Sequence, residues 1–461
     1  MQTMHIMMIR KTIHILIRIV MTVSALSVIH GCEKDRYGMF DIRWENYGGN
    51  PGERVPAKIE RNVLLVYSDG YNSLSDDLDR NIDSLMNNWL PSAGIRDNVL
   101  LLYTHKTARY GDYKTETSPY LIRLTSGKDG NASADTLVTY PESTISSSAR
   151  QFNKVLTYVK DNFPGSRYGL AYLSHATGYL PAGFYGNSDK YTYTEDRMMA
   201  KSMRFMDMMP PAVPYVEPER DPSLPKVRSI GQTQSGSFGD YMSYEIDIRD
   251  FVEAIPMKLD YIQFDACLMG GIEVAYELRG KCSKVGFSQA EVLAAGLDYS
   301  TLAMHMLKGS MPDQASVCED YFHMYDSQTD KMMRSATISL IDCDSLEPLA
   351  DVCRDIFANH RTELYSLHRS KAQRFYTGNQ HWFYDLESIV ANIGVSDEEL
   401  ERFHAALDGC VMYKAHTPQF LLEFDINTFS GFSMYMPSDG HRELDKYYRT
   451  LQWNISTGLV E

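Results

Sequence analysis

Several things are scarce in this chain of 461 residues, and each absence excludes a class of function. Seven cysteines are present (Cys32, Cys267, Cys282, Cys318, Cys343, Cys353 and Cys410), and none stands in a CxxC pair. Neither a zinc ribbon nor a dithiol redox motif is therefore indicated. Basic residues are outnumbered, 45 Lys and Arg against 60 Asp and Glu, for a net charge of −15, and no Lys/Arg cluster marks any element. That argues against a nucleic-acid partner and suits partners or substrates that carry positive charge. No Asp-x-Asp-x-Asp-Gly loop appears, so no dedicated calcium site is expected. There is no internal repeat and no low-complexity tract. What remains is 44% hydrophobic and 23% charged, ordinary for a globular protein. The 25 Met and 31 Tyr are scattered and read as core filler and surface rings.

The first 31 residues read as a leader. Arg10, Lys11 and Arg18 precede the apolar run 19–29, too short to span a bilayer but right for a signal-peptide core. The run ends in Ile29-His30-Gly31-Cys32, which looks like the lipobox of a bacterial lipoprotein, with Cys32 carrying the lipid. The expected location is the bacterial envelope, lipid-anchored on the periplasmic face or cell surface, and otherwise secreted. Removing residues 1–31 would shift the charge from −15 to −18. Residues 32–60, polar and rich in Gly and Pro, read as a tether.

Beyond the tether the chain opens β-α-β. Residues 62–67 form a continuous apolar run of the kind buried on both faces of a parallel sheet. Leu78, Ile82, Leu85, Met86 and Trp89 then make a helical stripe, and residues 98–103 a second strand. A hairpin is expected at 120–124 and 136–140, and a helix after Ser146–Ser148. Two further strands, 168–174 and 259–264, each end on a reactive side chain, His175 and Cys267. A helix over 269–279 would put Cys267 in its first turn and expose the thiol to the helix dipole. Residues 185–240, with six prolines from Pro210 to Pro225, read as a long exposed excursion. Strands at 284–288 and 336–341 follow, with helices at 300–308 and 313–325. The chain after about 344 reads as helices, a β-rich piece at 420–436 and a closing helix at 447–453. The division is a larger α/β domain over 61–342 and a smaller C-terminal α+β region over 343–461.

In an open parallel sheet the crevice beyond the strand carboxyl ends is where ligands bind. If 168–174 and 259–264 are neighbours, thiol and imidazole converge there. An imidazole beside an ionised thiol can protonate a leaving amine, and the loop 176–178 can offer an N–H to an oxyanion. The other reading is a pair of structural residues, with Cys267 an inert buried thiol.

The blocks Leu173-Ser174-His175-Ala176-Thr177-Gly178-Tyr179 and Phe264-Asp265-Ala266-Cys267-Leu268-Met269-Gly270 resemble the two catalytic blocks of the clostripain family of cysteine peptidases, relatives of caspases, gingipains and legumains. Ala176 stands where that family commonly has glycine. The resemblance extends over most of 60–455, leaving 185–240 unmatched. It implies a caspase-like three-layer α/β/α sandwich with a mostly parallel sheet. It implies His175 as general acid/base, Cys267 as nucleophile, and Asp265 in a primary pocket selecting Arg or Lys before the scissile bond. Asp298 is a candidate second pocket acid. The resemblance also implies maturation by cleavage after a basic residue, for which Lys190, Arg197, Lys201, Arg204, Arg220, Lys226 and Arg228 are candidates. No cofactor is expected, although some family members depend on calcium. The alternative is an inactive surface lipoprotein that binds basic peptides in the same crevice.

Overall fold

In a computed structural model the described residues are 60–70, 74–94, 97–110, 113–127, 130–186, 188–193, 223–227 and 244–461, together with the short strands 44–46, 54–56 and 213–214. Cys32 and most of the tether lie outside them, as do Arg197, Lys201, Arg204, Arg220 and Arg228.

Nine strands form one sheet: β1 (Asn62–Asp69), β2 (Val99–His105), β3 (Tyr120–Ser126), β4 (Ala132–Thr139), β5 (Arg167–Leu173), β6 (Leu259–Asp265), β7 (Cys282–Phe287), β8 (Thr337–Asp342) and β9 (Val411–His416). Their spatial order is β9-β8-β7-β6-β5-β1-β2-β3-β4. The five strands from β7 to β2 are mutually parallel, and the two pairs outside them are antiparallel. Every residue of β1 and β2 is buried, as continuous apolar runs demand when helices cover both faces.

Two helical layers do the covering. One holds α1 (Ser75–Met86), α5 (Tyr299–Leu307) and α6 (Gln314–Asp326); the other runs through α2 (Ala149–Asn162), α3 (Ile248–Glu253), α4 (Ile272–Leu278) and α7 (Glu347–Asn359). The result is the three-layer α/β/α sandwich expected. Ser148 caps α2 through the Gln151 N–H and Asp247 caps α3 through Arg249 N–H, so both helices start where short polar side chains satisfy orphan donors.

The tyrosines are more ordered than filler. Tyr67 of β1, Tyr103 of β2 and Tyr172 of β5 share one register level, and Tyr67 stacks on both neighbours at 4.3 and 5.7 Å between ring centroids. Phe264 of β6 continues the row beside Tyr172. This rigid aromatic floor lies directly beneath the strand carboxyl ends.

Three expectations need correcting. Helix α4 begins at Ile272, not 269, because residues 268–270 bond across to the chain beyond β7. Cys267 is thus five residues ahead of a seven-residue helix, and the argument from a helix dipole falls. Strand β9 was not foreseen; it carries the sheet into the C-terminal part of the chain. The closing helix is two helices, Arg442–Tyr448 and Gln452–Thr457, broken where Leu451 N–H bonds the Tyr448 carbonyl.

Candidate active site

Strands β5 and β6 are parallel neighbours, and Leu173 pairs with Asp265. His175 and Cys267 each follow that matched pair by two residues. Parallel strands run about 4.8 Å apart, so both residues follow the carboxyl edge of the sheet at one register level. Along the same sheet edge, β1 ends on Asp69 and β2 on His105, which are register partners and both buried. Asp69 accepts the Ser147 hydroxyl, and His105 Nδ1 lies 2.8 Å from Ser146 Oγ. Burial pushes the His105 imidazole down to about 4, which keeps it neutral.

The cysteine corner is pinned by backbone. Leu268 adopts φ 61°, a conformation a branched side chain rarely takes. Its N–H donates to the Ala290 carbonyl at 3.0 Å, and Gly270 N–H donates to the Ser288 carbonyl at 2.7 Å. A side chain at 270 has no room: a Cβ there would stand 2.6 Å from Gln289 N. Cys267 itself is 0% exposed. Val292 N–H donates to its sulfur at 2.9 Å, and the Val292 carbonyl lies 3.6 Å away.

The loop from Gln289 to Leu297 therefore lies across the thiol. Gln289 Nε2 bonds Ser339 Oγ and the Gly431 carbonyl at 2.6 and 2.7 Å, and Ala290 N–H bonds Thr337 Oγ1 at 3.0 Å. From the other side the segment 225–227, at the end of the proline-rich excursion, clasps the loop. Val227 pairs with Leu293, and Ala294 N–H donates to the Lys226 carbonyl at 2.9 Å. The Lys226 ammonium reaches the buried Asp77 carboxylate of α1. The excursion is thus exposed chain only in part, since Tyr185 at its start and Val227 within it are core residues.

Asp265, also 0% exposed, ends β6. Its Oδ2 accepts the Tyr299 hydroxyl and, at 3.4 Å, the Leu297 N–H. Those two donors bracket Asp298 in the chain. Asp298 is half-buried and caps α5, its Oδ1 accepting Ser300 N–H at 2.9 Å. Asp298 therefore sits in the chain between the two donors to Asp265, with its own carboxylate engaged in the cap of α5. Burial, then Tyr325, Asp265 and Cys267, hold the Tyr321 hydroxyl well above its ordinary range. Val292, Tyr299 and Tyr321 carry no motif, and only their proximity marks them.

On the histidine side the loop is fixed by Glu245, whose carboxylate accepts Gly183 N–H and the Thr177 side chain; burial pushes it up to about 7. His175 is half-buried, and Ser174 Oγ lies 3.5 Å from the Asp69 carbonyl. Among the described residues no group of three His, Cys, Asp or Glu side chains could hold a metal ion.

A family model described as the clostripain family matches residues 220–457. The chain belongs to the clostripain family. It is a cysteine peptidase by that membership. The solved structure of an inactive zymogen C11 protease from Parabacteroides distasonis superposes with a TM-score of 0.64 at 25% identity, covering 87% of this chain and 99% of that one. A secreted C11 cysteine protease from Bacteroides thetaiotaomicron, "iotapain", gives 0.64 at 22% identity over 86% and 99%. Its complex with an irreversible peptide inhibitor gives 0.64 at 21% over 86% and 98%. No curated protein matches the chain by sequence.

Proposed function

We propose that this clostripain-family chain is an endopeptidase that cleaves after Arg or Lys with a Cys267/His175 dyad. The observation that carries the reading is the Leu173–Asp265 register, which puts His175 and Cys267 each two residues past paired positions on neighbouring strands. In the reaction the Cys267 thiolate attacks the scissile carbonyl carbon, and backbone N–H groups of the crevice receive the oxyanion. The C–N bond then breaks, His175 gives its proton to the departing amine, and a thioester remains. Water attacks that thioester with His175 as base, which releases the acid and restores the thiol. These steps ask for no cofactor. Asp265 reads the substrate's positive charge by a charge-assisted hydrogen bond, and Asp298 adds to the field of the same pocket.

The described state is a closed one, with Val292 over the sulfur, and we take it as the precursor. The superposable Parabacteroides distasonis protein is an inactive zymogen, which favours the same reading here. Maturation would cut the basic-punctuated chain between 185 and 240. Cys32 would anchor the enzyme to the envelope, in keeping with a secreted relative.

One experiment tests the function. The protein, cut within 185–240 by an added protease, with Cys267→Ala and His175→Ala treated alike beside it, is exposed to a peptidyl-lysine or peptidyl-arginine chloromethyl ketone and then assayed on fluorogenic substrates that vary only at the residue before the cut. Labelling at Cys267 and loss of cleavage of about a thousandfold or more in both variants are expected. An unlabelled protein that still binds basic peptides would make it a binder instead, and a preference for uncharged residues would remove Asp265 from the pocket.

A further inference from the structure

Asp265 is already engaged before any substrate arrives. Its Oδ2 takes the Tyr299 hydroxyl and the Leu297 N–H, and one carboxylate oxygen has about two lone-pair directions to offer. The hydroxyl is not loosely placed. Tyr299 is buried in the first turn of α5, whose start is fixed by the Asp298 cap and whose body packs on α1 and β1. The bend leading to it is held by Tyr325, whose hydroxyl donates to the Gly296 carbonyl at 2.9 Å.

The two basic side chains ask different things of such a carboxylate. A guanidinium is a planar fork whose strongest pairing takes both oxygens side-on. An ammonium is a compact donor that one oxygen can satisfy. With Oδ2 saturated, a guanidinium must displace Tyr299 or accept a poorer single contact, whereas an ammonium meets no such conflict.

We infer that Tyr299 is a specificity-determining residue that biases the pocket of Asp265 toward lysine over arginine. The inference rests on the reading of Asp265 as the pocket carboxylate. Removing the hydroxyl leaves Oδ2 only the Leu297 N–H and opens one lone-pair direction for the side-on geometry that arginine needs.

The test uses the matured enzyme, with competent sites counted by covalent labelling of Cys267. Substrates identical except for Lys or Arg before the cut are compared on wild type, Tyr299→Phe and Asp265→Asn. Wild type is expected to favour Lys, and Tyr299→Phe to raise the Arg/Lys ratio of kcat/KM by roughly tenfold, the worth of one charge-assisted hydrogen bond. A ratio that stays within twofold, or a wild type already faster on Arg, overturns the inference. Asp265→Asn separates this from failure of the underlying reading. If it leaves the basic preference intact, Asp265 is not the pocket acid; if it abolishes that preference while Tyr299→Phe leaves the ratio alone, only the role of Tyr299 falls. Should Tyr299→Phe not fold, matched lysine and arginine peptidyl aldehydes on wild type decide, and tighter binding of the arginine compound overturns the inference.

Discussion

Gly178, in the loop that carries His175, lies against Leu268, the residue after Cys267: a Cβ on the glycine would stand 2.4 Å from the leucine carbonyl oxygen. Both residues have positive φ, 64° and 61°. The two reactive loops therefore touch backbone to backbone. Gly178→Ala would add left-handed strain of about 1–3 kcal/mol and push the loops apart. Cleavage of a lysine substrate should fall at least about tenfold, while circular dichroism shows a folded protein. Unchanged kcat/KM would show that the contact is not needed for alignment.

The clasp of 225–227 on the loop over Cys267 should govern access to the thiol. Lys226 is half-exposed and Asp77 nearly buried, so their pair is worth about 1 kcal/mol. In Lys226→Met the uncut chain should label at Cys267 about fivefold faster with a chloromethyl ketone. Salt should speed labelling of wild type and have less effect on the variant. Equal rates in the two proteins would leave the ion pair without a role in closure.

Glu273, fully buried at the start of α4, accepts the Tyr448 hydroxyl at 2.6 Å and the Tyr435 N–H at 2.9 Å, and burial pushes its carboxyl up to about 7. Between the ordinary glutamate value near 4.3 and about 7, the folded protein keeps a proton that the unfolded chain has lost. Stability is then fully present at low pH and declines as pH rises through that window. Asp385, pushed up by burial to about 6, acts with the same sign. At about 1.4 kcal/mol per pH unit, Glu273→Gln should lose distinctly less thermal stability than wild type between mildly acidic and mildly basic buffer. Parallel melting curves across pH would refute the assignment.

Among the described residues six cysteines are buried and in no disulfide. Burial pushes the Cys282 and Cys410 thiols up to about 12 and the Cys318, Cys343 and Cys353 thiols high as well. At about pH 8 these five should resist iodoacetamide in the native enzyme, because only thiolate reacts. Peptide mapping by mass spectrometry reads this directly, and alkylation of any of the five without unfolding would contradict the burial argument.

Much of the scaffold could be read in advance because parallel strands covered on both sides must be apolar throughout. β1, β2 and β5 announced themselves that way, while β6, which holds Asp260 and Gln263, was flagged by its β-favouring Ile262 and Phe264, and the break after each marked its carboxyl end. β9 escaped because Val411-Met412-Tyr413-Lys414-Ala415-His416 is an edge strand whose inner and outer faces alternate, so no apolar run flags it. The start of α4 escaped because the bonds that hold 268–270 out of the helix come from residues 288 and 290.

By itself the sequence determined which strands end in a thiol and an imidazole, and it marked Asp265 beside the thiol, because local pattern dictates strand, break and turn. Only the tertiary structure decided that those ends are neighbours, that Val292 covers the sulfur, that Lys226 clasps the cover, and that Tyr299 occupies the acid. Each of these contacts joins residues well separated in the chain, Lys226 to Asp77 by 149 positions. No local periodicity carries them. They exist because packing two helical layers onto one sheet brings distant backbone into hydrogen-bonding reach.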